Sequence, residues 1–167
     1  MTDNWRSRIV GHGEEAPDQM LANPRNWRTH PPSQREAVTG LLDEVGWVQD
    51  VIVNRTTGNV IDGHLRIEEA LTRDEPMVPV VYVELTEKEE GLVLAALDPL
   101  AALAGRNEEA LTSLLGDAET NSAALRAMFD GMGASIGSSP DEFPVVDETL
   151  DTEHECPKCG YQWSGKG

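Results

Sequence analysis

The chain is short of positive charge, of cysteine, of aromatic residues and of long apolar runs, and each shortage closes off a class of function. Thirteen Lys and Arg face thirty Asp and Glu among 167 residues, a formal net charge of −17. That balance argues against general electrostatic adhesion to nucleic acid, because phosphate binding needs a basic face. The deficit is uneven. Residues 1–73 hold eight Arg against eleven acids, a net of −3, whereas residues 74–167 hold five basic groups against nineteen acids, a net of −14. A local arginine cluster in the first half can still take a nucleotide. The acidic second half suits solubility, repulsion of nucleic acid, or a basic partner. The two cysteines both belong to one Cys-x-x-Cys, which fits metal binding better than a disulfide framework. Hydrophobic content of 39% with 5% aromatics fits a soluble globular domain. No run approaches the roughly 20 apolar residues that span a bilayer. No basic segment followed by an apolar core marks a secretory signal, so the expected compartment is cytoplasmic. The length allows one core of modest size plus an appendage.

What is present reads as an ordered series of segments. Residues 1–19 form a polar arm with one short element, and residues 20–98 an α/β domain. Residues 99–132 are a helical extension, 133–153 an acidic linker, and 154–167 a knuckle-like tail. Asn23-Pro24 sets a loop. Ser33, with Glu36 three residues on, is the expected cap of a helix carrying Val38, Leu41, Leu42 and Val45 at helical spacing, and Gly46 ends it. A strand is expected over Val48–Asn54, then a turn at Thr56–Asn59 and a helix running to about Arg73. Met77–Val83 reads as a strand that Pro79 consigns to an edge or a bulge. Thr86 and Glu89 form a capping box for a helix over Glu87–Leu97, which Asp98-Pro99 is expected to break. Further helices are expected at about Pro99–Ala104, Asn107–Asp117 and Ser122–Met132.

The chemistry concentrates at Asp62-Gly63-His64-Leu65-Arg66, between a short apolar strand and a helix. Gly63 lets the backbone approach a ligand closely. A helix start offers free N–H groups and a positive dipole end to phosphate. Arg66 adds a fork of donors, Asp62 is a carboxylate suited to Mg²⁺, and His64 can serve as acid, base or phosphate donor. A plain turn and N-cap, with Arg66 on a solvated helix face, is the competing reading of the same five residues.

Four features in order give the chain a resemblance to the ParB N-terminal and sulfiredoxin-like superfamily. They are the Asn23-Pro24-Arg25 loop, the Gly46-Trp47-Val48-Gln49 segment leading into Val51-Ile52-Val53, the Asp62–Arg66 box, and the Val78-Pro79-Val80-Val81 strand followed by Leu85-Thr86-Glu87. Together with the Leu94–Leu100 segment and the Cys-Pro-Lys-Cys-Gly-Tyr tail, the chain resembles phage-encoded members, some fused to or lying near DNA methyltransferases. The resemblance implies a small mixed sheet with helices that binds ATP or CTP with Mg²⁺. In the chromosome-partition branch the box is Gly-Glu-Arg-Arg; here Gly63 and Arg66 match, while His64 and Leu65 depart from it. No cysteine lies near the box, so the sulfinic acid reduction of sulfiredoxins is not supported. The box is most similar to that of the free-serine kinases and related ATPases. On this resemblance the nucleotide-binding residues are Arg25, Arg28, Gln49, Gly63, His64 and Arg66, and the catalytic candidates are Asp62, His64 and Glu68.

In the tail, Cys156 and Cys159 flank a Pro-Lys turn followed by Gly160 and an aromatic, the knuckle of a zinc ribbon. His154 is a candidate third ligand, and a homodimer sharing Cys₄ would complete the shell. A degenerate, metal-free ribbon is the alternative. The function expected is nucleotide binding, with hydrolysis or phosphate transfer left open. The alternatives are a non-enzymatic acidic protein that binds or regulates a DNA-processing partner such as a methyltransferase, and a ParB-like nuclease. Direct DNA binding is expected to be weak or absent.

Overall fold

In the computed structural model, residues 4–136 are described throughout, together with the backbone of His154–Glu155 and Gln162–Trp163. The first unit, Met1–Ile136, is built on a four-stranded mixed sheet of β1 (Ile9–Glu15), β2 (Val51–Asn54), β3 (Val60–Asp62) and β4 (Val78–Val83), in the order β1-β4-β2-β3. β1 runs antiparallel to β4, β4 parallel to β2, and β2 antiparallel to β3. Five helices accompany it: α1 (Pro32–Val45), α2 (His64–Thr72), α3 (Glu87–Ala102), α4 (Glu108–Asp117) and α5 (Ala123–Ala134). No helix among the described residues is long and apolar enough to cross a membrane.

Period-two alternation divides the sheet residues between two faces. Val51, Val53, Val78 and Val80 bury one face against Ile67 and Ala70 of α2. Ile52 and Ile61 join Leu85, just before α3, and Leu94 of α3 in a second cluster. Each fully buried valine contributes about 1.5–3 kcal/mol over its exposed state, so the all-apolar runs Val51-Ile52-Val53 and Val78–Val83 specify strands covered on both sides. The β2–β4 pair is parallel and needs a crossover, which β3 and α2 supply.

Five elements differ from what the sequence predicts. β4 is an interior strand between β1 and β2, not an edge; Pro79 is accommodated because the β2 ladder begins only at Val80, leaving Pro79 paired on the β1 side alone. β2 starts at Val51, not Val48. The supposed arm holds a seven-residue strand, Ile9–Glu15. Its hydrogen-bonding partner is the distant β4, and Gly11-His12-Gly13 interrupts the alternation that would have marked it. α1 begins at Pro32 behind Pro31, with no side-chain cap, rather than at Ser33. The helix from Glu87 does not stop at Asp98 but runs through Pro99 to Ala102. Proline costs that helix one N–H bond, yet the flanking Leu and Ala are strong helix formers that carry it one turn further. The Thr86–Glu89 capping box is present as expected. Gly46 ends α1 at φ +85.

In the second unit, Gly137–Gly167, His154–Glu155 pairs antiparallel with Gln162–Trp163. Cys156 and Cys159, and with them the zinc-knuckle expectation, lie outside the described residues, as does the side chain of His154.

Candidate functional site

β3 delivers the chain directly to the mouth of α2. Gly63 is the N-cap, at φ +98, and no side chain caps the helix. That left-handed backbone is costly for any L side chain. A Cβ there would also lie 3.0 Å from Val51 Cγ2 and 3.2 Å from Arg66 Nη2. Glycine is thus required twice, by conformation and by space. The first-turn N–H groups have no intrahelical acceptor, and residues 63–66 line a cleft of about 410 Å³. Arg28, Asp62 and Asp98 complete its polar wall, and Trp27 and His30 its rim.

Asp62 sits between two guanidiniums. Arg28 Nη1 donates to Oδ1 at 3.1 Å, and Arg66 Nη2 to Oδ2 at 3.2 Å. Gln49 ties the group together, donating to Asp62 Oδ2 at 3.4 Å and accepting from Arg66 Nη1 at 3.2 Å. Arg28 Nε also pairs with Asp98. The side chains of Arg28, Asp62 and Arg66 are 11%, 19% and 19% exposed, so these contacts operate at reduced dielectric, where they are stronger than at an open surface. Arg28 Nη2 and Arg66 Nε nevertheless lie buried without a partner. Buried donors are seldom left so, and here the two flank the mouth of a helix.

His64, the first residue of α2, is 7% exposed. Its Nε2 accepts the Asn23 backbone N–H at 3.3 Å, and its Nδ1 is buried without a partner. Burial first, and the Arg28 charge second, push its pKa down, against weaker opposing effects of Asp62 and Glu68. The ring is therefore neutral at neutral pH.

Asn23 in turn belongs to a buried polar cluster centred on Glu90 of α3, which is 3% exposed. Glu90 accepts from Thr57 Oγ1 at 2.5 Å, Asn54 Nδ2 at 2.6 Å, Asn23 Nδ2 at 2.8 Å and Asn59 Nδ2 at 3.3 Å. Burial pushes the carboxyl pKa up, but the four side-chain donors together outweigh it and hold the group ionised.

Of the residues singled out from sequence, the fold gathers Arg28, Asp62, Gly63, His64 and Arg66 around one cleft, with Gln49 bonded to two of them. Two are placed elsewhere. The Arg25 guanidinium packs over Gly91 of α3, where a Cβ would come within 2.5 Å of Nη2. Glu68 is hydrogen-bonded to Arg35 of α1 at 2.5 Å and is not among the cleft-lining residues. Trp27, His30 and Asp98 line the cleft without having been marked for it. Trp27, 59% exposed, looks like loop packing in sequence, and Asp98 like a helix stop. The available signals were weak: an aromatic beside Arg28, and a carboxylate one turn beyond Leu94. Among the described residues no group of three or more His, Cys, Asp or Glu is placed to hold a metal. The cleft carboxylates Asp62 and Asp98 are instead paired with the guanidiniums of Arg28 and Arg66.

No family model matches the chain, and no curated protein matches it. Among solved structures it is similar to the C-terminally truncated chromosome-partitioning protein ParB from Caulobacter crescentus, complexed with CTP-γ-S. The identity is 22%, the TM-score 0.47, and the match covers 62% of this chain and 61% of that one. It is also similar to a Pnob8-like ParB-N domain at 15% identity and TM-score 0.47, over 78% of this chain and 50% of that one. The chain thus spans less than two thirds of either neighbour's length. A likeness at this level assigns neither a family nor a ligand.

Proposed function

We propose that the cleft at the mouth of α2 binds the phosphates of a nucleoside triphosphate, ATP or CTP, together with Mg²⁺. The observation that carries this reading is the pair of buried, unpartnered guanidinium nitrogens, Arg28 Nη2 and Arg66 Nε, beside a helix start that no side chain caps. A polyphosphate supplies the acceptors both features lack. Asp62 holds the two arginines in position in the free protein. On binding, phosphate oxygens take over part of the arginine forks; Asp62 or Asp98 would hold Mg²⁺, which would supply charge neutralisation at the phosphates. Trp27, exposed at the rim with its indole Nε1 tied to the Leu94 carbonyl at 3.1 Å, offers an aromatic surface to a base. Positioning and electrostatic stabilisation would carry any hydrolysis or phosphate transfer.

Calorimetry with the four ribonucleoside triphosphates and Mg²⁺ tests this reading. At least one should bind with a Kd below ~1 mM, equivalent to about 4 kcal/mol. Arg66→Ala should weaken that binding about tenfold or more, the usual effect of losing a charge-assisted hydrogen bond. Absence of binding by all four would overturn the proposal.

A second reading, a non-enzymatic interaction protein serving a DNA-processing partner, draws on Leu97, Leu100 and Leu103 of the α3 end and Leu114 of α4, all exposed. A robust partner in a pull-down, with no nucleotide bound in calorimetry, would favour it.

A further inference from the structure

The two imidazole nitrogens of His64 have different surroundings, and a backbone amide decides between them. An N–H can only donate, so the 3.3 Å contact from Asn23 N requires Nε2 to present its lone pair. A neutral ring in that state carries its proton on Nδ1, the nitrogen left buried without a partner. The ring nitrogens diverge, so Nδ1–H points away from Asn23. The Asn23 amide is itself immobilised: its side-chain Nδ2 donates to Glu90 at 2.8 Å, its Oδ1 accepts from the Arg25 N–H at 2.9 Å, and Asn54, Thr57 and Asn59 lock Glu90 in place.

We infer that Glu90 and Asn23 are positioning residues for the ligand site, holding His64 as a fixed, neutral Nδ1–H donor that hydrogen-bonds an oxyanion in the cleft rather than exchanging protons with it. This deepens the polyphosphate reading and rests on it for the ligand. It removes His64 from the role of general base, because the nitrogen that would accept a proton is already engaged by a backbone N–H. The buried Glu90 carboxylate, whose four side-chain donors are all neutral, acquires a purpose: it anchors the loop that sets the tautomer.

The test begins without ligand. The ¹⁵N and ¹H shifts of the imidazole in the free protein report which ring nitrogen is protonated. The expected result is Nδ1–H as the dominant tautomer from pH 6 to 8; the charged and titratable groups that act on the ring are Arg28, Asp62, Glu68 and His30. A proton on Nε2 overturns the proposal while leaving polyphosphate binding untouched. Asn23→Ala keeps the backbone amide but cuts the tie to Glu90. It should mix the two tautomers and weaken inorganic tripolyphosphate binding about threefold to tenfold, the scale of one hydrogen bond. Should Asn23→Ala leave the tautomer unmixed, the positioning role is refuted. His64→Leu should lose about tenfold in tripolyphosphate affinity, and His64→Asn, whose amide nitrogen falls near the Nδ1 place, should recover part of that loss. Equal affinities for the two variants would contradict the donor role. If the wild type binds no tripolyphosphate while Nδ1 proves protonated, the polyphosphate reading and the donor role fall together and only the tautomer assignment stands.

Discussion

The most constrained residue of the site is Gly63. Its φ of +98 strains any L side chain, and a methyl group there would press on Val51 Cγ2 at 3.0 Å. Gly63→Ala should destabilise the fold by about 1–3 kcal/mol, the scale of a left-handed non-glycine residue, seen as a drop in thermal midpoint. The same Cβ would push Arg66 Nη2 from its place by Asp62, so the variant should also lose phosphate affinity. A variant as stable as the wild type would show that the turn relaxes readily. This residue was legible in sequence, since Asp-Gly at a strand-to-helix junction calls for an unusual backbone whichever function follows. The second guanidinium, Arg28, was legible as a nucleotide contact only through the resemblance, which marked Arg25 of the same loop equally. Its pairing with Asp98 joins residues far apart in the chain, which no local pattern encodes. The same holds for Glu90, which in sequence is one more acid after a capping box.

Among the elements, α3 shows how local signals succeed. Thr86 and Glu89 are three residues apart and cap each other, so the start of α3 is written in one short stretch. β1 is the opposite case, because its hydrogen bonds come from β4. Arg8, just before β1, is hydrogen-bonded to Glu89 Oε1 at 2.7 Å and so links the two elements. The Arg8 guanidinium, followed by the Thr86 N–H and hydroxyl, holds the Glu89 pKa down to about 2. A carboxyl more acidic in the folded than in the unfolded state binds fewer protons when folded. Its stabilising contribution is therefore complete above about pH 4.5 and is lost as the pH falls toward 2. Glu89→Gln keeps the capping geometry but removes the charge. The thermal midpoint of the wild type should exceed that of the variant at pH 6, and the gap should close near pH 2. A gap independent of pH would mean that the contact acts through shape alone.

At the scale of the whole molecule, a chain of net charge −17 brings two guanidiniums, Arg28 and Arg66, to one cleft. Arg28 and Arg66 meet Asp62 and Asp98 there, so the site is locally balanced in a repulsive field. That arrangement admits a small anion held by directed donors and disfavours a long polyanion. Duplex DNA should show no retardation at about 0.15 M salt over the protein range of roughly 1–100 µM where ordinary non-specific binders act. Retardation that fades with added salt would instead require a basic face. The mixed sheet and its helices follow from apolar runs and caps, which is why the α/β architecture could be read in advance. The cleft was legible only in part, through the Asp62–Arg66 box and Arg28, because the rest of its wall forms only where the loop at 23–30, β3, α2 and the end of α3 converge.

Amide chemical-shift mapping with inorganic tripolyphosphate tests the central claim most directly, since it asks where the anion sits without regard to base or turnover. The amides of His64, Leu65 and Arg66 and the side-chain N–H of Arg28 should move most and saturate together. Shifts confined to other regions, or none at millimolar ligand, would contradict a phosphate site at the mouth of α2.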